Sequence, residues 1–154
     1  MSTPPPRPRR RSASATPLRP RAKRAFVLRV AAGIIRRGDG AILITQRRDG
    51  DSFAGHWEFP GGKLERGESY AQALQRELRE EIGVETEIGP AFFTLTHPYP
   101  RKTVKLRFLE ARIVSGEPRT LQVAAWQWVA PADLGRFRFP PADEPLIKKL
   151  QSSS

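Results

Sequence analysis

The sequence predicts a single α+β domain, and three observations carry that prediction. After residue 25, apolar segments with the period of strands are separated by Gly-rich and charged turns. One segment, Ser69 to Ile82, has the period of an amphipathic helix, and no regular strand-helix-strand repeat runs through the chain. At 154 residues the chain is long enough to bury a core and too short for two catalytic domains.

Residues 1–24 precede this pattern. They hold eight basic residues, no acid and six of the 15 prolines. With almost no large apolar side chains they cannot offset the entropy of ordering, so a disordered leader is expected, with the folded domain spanning 25–154. An Arg- and Ser-rich start also suits a mitochondrial transit peptide, but its prolines break the helix such a peptide needs.

Ala25 to Ile35 and Ala41 to Arg47 read as strands, with Gly38-Asp39-Gly40 as a hairpin turn between them. The first is not the apolar region of a signal peptide, because Arg29 interrupts it and Arg36 and Arg37 close it. Next comes the helix. Leu74, Leu78 and Ile82 recur every fourth position, with Ala71 three before Leu74, and Gly83 can adopt the left-handed conformation that ends a helix. From Thr103 to Val114, Val104, Leu106 and Phe108 alternate with Lys105 and Arg107, as in a half-buried strand. Ala124 to Val129 is a further strand, followed by a small helix near Ala132 to Gly135. Pro141 to Leu150 closes the chain as a helix whose Leu146, Ile147 and Leu150 face the body.

The formal charge is +11, from 27 basic and 16 acidic residues. Without the leader the count is 19 against 16, so the basicity belongs mainly to the tail. The tail reads either as an electrostatic tether to nucleic acid or an anionic surface, or as a dispensable extension. The absence of Cys excludes disulfides, thiolate metal sites and a cysteine nucleophile, which leaves oxygen atoms and two histidines to hold any metal. No apolar run approaches the roughly 18 residues that span a bilayer, and the composition reads as a cytosolic protein.

On a second face of the helix, Glu77, Glu80 and Glu81 stand at i, i+3 and i+4. Three neighbouring carboxylates repel one another unless cations neutralise them, and clustered oxygen ligands suit Mg²⁺ or Mn²⁺. The alternative is a solvated acidic face paired with Arg76 and Arg79. The surrounding residues bear on that choice. Gly62, Glu68, Arg76, Glu77, Leu78, Glu80, Glu81, Gly83 and Val84 fall at the spacing G-x5-E-x7-R-E-U-x-E-E-x-G-U, where U is a bulky apolar residue. Seven fixed positions coincide by chance at a rate on the order of one in 10⁸.

This pattern is the Nudix box, and from about Leu28 to Leu150 the chain resembles the Nudix hydrolases. The resemblance implies an α/β/α sandwich around a mixed β-sheet and Mg²⁺-dependent cleavage of nucleoside diphosphates linked to another moiety. It implies Glu77, Glu80 and Glu81 as metal ligands with the Gly61 carbonyl, Arg76 as the residue that orients the glutamates, and Glu68 as a support for the loop.

Other segments are similar to the MutT branch, which converts 8-oxo-dGTP to the monophosphate and pyrophosphate in nucleotide-pool sanitation. They are Val30-Ala31-Ala32-Gly33-Ile34-Ile35, Ile44-Thr45-Gln46-Arg47-Arg48, Trp57-Glu58-Phe59-Pro60-Gly61-Gly62, Gly116-Glu117-Pro118 and Phe139-Pro140-Pro141-Ala142-Asp143-Glu144-Pro145. The likeness implies substrate contacts from Arg47, Glu58, Phe59, Pro60, Gly61 and Asp143, with Leu28 and Val30 lining a base pocket. Arg47 reads otherwise as a solvated strand-end charge, Phe59, Leu28 and Val30 as core, and Asp143 as a helix cap.

Two positions depart from that branch. Asp143 stands where an Asn is common; an ionised Asp only accepts hydrogen bonds, and it matches the two-way pairing of an amide only if it keeps a proton. Nudix enzymes that act on CTP or methylated dCTP resemble this Pro-Ala-Asp pattern. Gln122 stands where a Glu is frequent, and it can hydrogen-bond but cannot act as a base. The expected activity is thus a Mg²⁺-dependent nucleoside triphosphate pyrophosphohydrolase acting on 8-oxo-dGTP, a monomer without membrane contact. A CTP-preferring enzyme is one alternative, and a non-catalytic nucleotide- or nucleic-acid-binding module is another.

Overall fold

A computed structural model describes residues 2–6 and 26–153. Residues 2–6 are exposed and carry no regular secondary structure; the expectation for the rest of the leader, and its boundary at residue 25, lies outside the described residues.

Two sheets form the centre. The larger joins β1 (Phe26–Ile35), β4 (Gly61–Lys63), β5 (Glu85–Pro98) and β6 (Lys102–Ser115) in the order β4-β1-β6-β5. β1 and β6 run parallel and the other pairs antiparallel, so this sheet is mixed. The smaller, antiparallel throughout, joins β2 (Ile42–Gln46), β3 (Trp57–Glu58) and β7 (Ala125–Val129) in the order β3-β2-β7. Helix α1 (Tyr70–Ile82) and helix α2 (Glu144–Ser152) cover them.

Strand periodicity explains how both faces are covered. On β1, Ala31 and Ile35 join Leu74, Leu78 and Ile82 of α1 in one apolar cluster. Ala32 and Ile34 join Phe108, Leu134, and Leu146 and Leu150 of α2 in a second. The mixed sheet with a helix cluster on each face is the α/β/α arrangement expected. Burial of a large aliphatic side chain contributes roughly 1.5–3 kcal/mol, so the fully buried Leu74, Leu78 and Ile82 are what hold α1 in place.

α1 ends where its sequence dictates. Ser69 accepts a hydrogen bond from the Gln72 N–H at 3.1 Å while the Gln72 side chain accepts from the Ser69 N–H at 2.9 Å, a reciprocal cap. At the other end Gly83 has φ 71° and its N–H reaches the Arg79 carbonyl.

Three expectations need correction. The Gly38–Gly40 turn forms, but β1 and β2 meet only through an isolated Arg36–Ile42 bridge and diverge into separate sheets, so they are not a hairpin. The 14-residue β5 goes unannounced in the sequence: it lies at a sheet edge, carries Pro90, and is bulged between Ile88 and Ala91 and again between Ala91 and Phe93, so no period of two survives. The segment Pro141–Asp143 is a 3₁₀ turn, and α2 begins only at Glu144.

Candidate active site

The loop from Gly61 to Ser69 runs into α1, and its geometry is governed by close backbone approach. A Cβ on Gly61 would lie 2.0 Å from the Ala31 carbonyl oxygen, and one on Gly62 would lie 2.4 Å from the Glu77 carboxyl carbon. At Gly61 the obstacle is backbone, so only glycine fits; at Gly62 it is the Glu77 side chain, which any added Cβ would have to displace. The space left by Gly62 is filled by the Glu77 carboxylate.

Arg76 organises the acids around it. Its Nε and Nη2 donate to the two Glu68 oxygens at 2.8 and 2.9 Å, Nη2 donates to the Lys63 carbonyl at 3.0 Å, and Nη1 donates to Glu77 at 2.8 Å and Glu80 at 3.3 Å. Such a fork fixes direction as well as charge. Glu68 also accepts from the Glu65 N–H at 2.7 Å, which closes the loop's turn. The Arg76 hydrogen bonds hold the Glu68 carboxyl below its usual range.

Glu81 is compensated on one side only. Its Oε2 is buried and has no hydrogen-bond partner among the described residues. Burial, then Glu58, then Glu77 push its carboxyl up to about 9, and only the Gly61 N–H turned toward it pulls the other way. Among the described residues no group of three acids or histidines forms a preassembled metal cage: Glu77 and Glu81 are neighbours, while Glu80 is exposed and drawn to Arg76.

Next to these acids, at the end of β2, Arg47 Nη1 donates to Glu58 Oε2 at 2.8 Å, and Arg47 Nε donates to the Ser52 carbonyl. Arg47 is thus not a free strand-end charge. Burial raises the Glu58 carboxyl despite this partner. Glu58 in turn acts on Asp143. The Asp143 side chain is 8% exposed, makes no capping bond to α2, and is pushed up to about 7 by burial and by the charge of Glu58. The capping alternative for Asp143 is therefore not realised.

Phe59 is a core residue, 4% exposed, stacked on Phe139 at 5.2 Å and edge-on to Phe108 at 5.9 Å. Pro60 is buried and its carbonyl accepts from the Gly33 N–H at 2.8 Å, tying the loop to β1. Leu28 and Val30 are half-buried on the β1 face that continues Ala32 and Ile34. Gln122 is exposed, and its N–H donates to the Glu81 carbonyl at 3.0 Å, which brings its loop against the end of α1. Glu58, expected from the resemblance as a substrate contact, lies against Arg47 and also raises the carboxyls of Glu81 and Asp143, an effect that no local pattern announces.

Comparison with known proteins agrees with this geometry. The NUDIX domain family model matches residues 31–149. The chain is 40% identical over 124 residues to the 8-oxo-dGTP diphosphatase of Haemophilus influenzae, covering 80% of this chain and 91% of that protein. It is 36% identical over 126 residues to the CTP pyrophosphohydrolase of Escherichia coli, covering 82% and 96%. The solved structure of the E. coli ORF135 protein superposes with a TM-score of 0.72 at 34% identity, covering 83% of this chain and 91% of that one. A glycine-cradled, Arg-braced acidic helix on this fold, together with these similarities, has one consequence: the chain belongs to the Nudix family, as a hydrolase of the MutT type.

Proposed function

We propose that the protein is a Mg²⁺-dependent nucleoside triphosphate pyrophosphohydrolase that converts 8-oxo-dGTP to 8-oxo-dGMP and pyrophosphate. The divalent ion, Mg²⁺ or Mn²⁺, is held by Glu77, Glu80, Glu81 and the Gly61 carbonyl. The donor set fits such an ion: all are oxygen ligands, and the buried Glu81 Oε2 lacks a partner of its own. When bound, the ion neutralises phosphate charge and makes an attacking water more acidic.

The protein's own residues supply position. Arg76 holds Glu77 through its fork and fixes the loop through Glu68 and Lys63. Arg47, aligned by Glu58, presents a guanidinium to a phosphate or to the oxidised base. Gln122, beside the end of α1, can hydrogen-bond to a substrate but cannot take a proton. Leu28 and Val30 offer an apolar wall to the base.

The observation that carries the choice of an oxidised purine is the buried, uncapped Asp143. Raised to about 7, it keeps its proton below that pH, and the protonated form donates through its hydroxyl and accepts through its carbonyl. That pairing matches what an amide offers the edge of an oxidised guanine. The second reading, a preference for CTP or 5-methyl-dCTP, draws support from the E. coli CTP pyrophosphohydrolase relative and from the ionised form of Asp143, which accepts from an amino group. Pyrophosphate release from 8-oxo-dGTP, dGTP, CTP and 5-methyl-dCTP, with and without Mg²⁺, separates them. The expected result is Mg²⁺-dependent turnover with 8-oxo-dGTP preferred. Preference for the pyrimidines refutes the oxidised-purine choice, and no turnover of any triphosphate refutes the enzyme.

A further inference from the structure

α1 covers only part of the face of the large sheet on which it packs. Along β6 that face carries Leu109 and Ala111 under the helix, then Arg107 and Lys105 beyond it. The β1–β6 register sets Arg29 beside Lys105 and Ala31 beside Arg107, and the β5–β6 register sets Thr94 beside Arg107 and Thr96 beside Lys105. Paired residues share a face, so Arg29, Lys105 and Arg107 form a basic patch flanked by two threonines, all exposed.

Like charges side by side in register are destabilising without an anion between them. No carboxylate fills that role here: none of the ion pairs within the described residues involves Arg29, Lys105 or Arg107. Arg107 instead lies over the Tyr70 ring at 4.5 Å, which holds its guanidinium in one orientation. The sequence continues the charge, since the eight basic residues of 1–24 lead directly into β1. A metal site of carboxylates does not need this patch, which stands on different residues.

We propose that this sheet face, which α1 leaves open among the described residues, binds the phosphate backbone of single-stranded nucleic acid. Side chains two apart on a strand stand about 6.6 Å from each other, so Lys105 and Arg107 can meet successive phosphates of an extended strand. The threonine hydroxyls add neutral donors beside them. A flat sheet face has no element to enter a duplex groove, and a single strand lies along it without one.

The test is fluorescence anisotropy of a labelled oligothymidylate with the full chain and with the Arg29→Ser/Lys105→Ser/Arg107→Ser variant across a salt titration. Each phosphate contact on a single strand contributes about 0.7 to the slope of log affinity against log salt, so the variant loses about 2 from that slope while triphosphate turnover is unchanged. Lys105→Gln alone, a milder change, loses about 0.7 and guards against misfolding of the triple variant. An unchanged slope in both variants overturns the proposal, as does tighter binding of duplex than of single strand. Binding of vesicles containing anionic lipid but not of the oligonucleotide also overturns it.

Discussion

The Glu77 carboxylate occupies the space where a Gly62 side chain would be, with its carboxyl carbon 2.4 Å from the position of the missing Cβ. The box glycine is thus a seat for the box glutamate. Gly62→Ala must push Glu77 away from Arg76 and Glu81, and turnover is expected to fall by at least tenfold, in the range of roughly 10–100-fold seen when support around a metal ligand is lost. Mg²⁺ titration of activity should show a raised requirement for the ion. Wild-type turnover and Mg²⁺ dependence in Gly62→Ala contradict this role.

Arg76 makes a two-bond fork to Glu68 that an ammonium group cannot reproduce. Arg76→Lys therefore keeps the charge and loses the geometry. We expect kcat to fall by about 10–100-fold, with a lower Tm because the Lys63 carbonyl loses its donor. Steady-state kinetics beside thermal unfolding check this, and retention of full kcat in Arg76→Lys counts against a positioning role.

Asp143 makes stability depend on pH. Its carboxyl is raised from an ordinary 3.8 to about 7, so the folded state holds the proton more tightly than the unfolded one. That contribution is fully present below about pH 4 and is lost as pH rises through about 7. Relative to Asp143→Asn, the wild type should become less stable between pH 5 and pH 8, by an amount on the order of 2–4 kcal/mol. Urea unfolding of both proteins at the two pH values measures the difference. A constant gap refutes the assignment.

The same proton should govern base choice. As pH rises through about 7 the donor on Asp143 is lost, and the preference of the wild type for 8-oxo-dGTP over CTP should decline. Asp143→Asn keeps both donor and acceptor, so its preference should stay flat. The ratio of kcat/KM values for the two substrates across pH 6 to 9 decides it.

Some of this was legible in the residues alone. Ser69, Gly83 and the Leu74-Leu78-Ile82 spacing mark both ends and the buried face of α1, because caps and helical periods are local properties. The mutual position of Glu77, Glu81 and Arg76 follows from the same helix. β5 was hidden, since Gly89, Pro90 and three register shifts erase its alternation and only its pairing with β6 makes it a strand. Glu58 was a candidate substrate contact, but its effect on both Glu81 and Asp143 was hidden, because it arises between segments far apart in sequence. Asp143 itself had two local readings, cap or pocket, and burial rather than sequence decides between them.

We propose that Glu77, Glu80 and Glu81 of α1 hold the ion needed for pyrophosphate release. Glu81 leaves Oε2 unpartnered and its charged form is disfavoured by burial and by Glu58, so Glu81→Gln should leave the fold intact or more stable at pH 8. The most direct measurement is pyrophosphate release from 8-oxo-dGTP by the wild type and Glu81→Gln at saturating Mg²⁺, with circular dichroism confirming the fold. The expected result is a folded variant whose turnover is lower by about three orders of magnitude, equivalent to about 4 kcal/mol of transition-state stabilisation. Near-normal turnover in a folded Glu81→Gln protein contradicts a role for Glu81 in holding the ion.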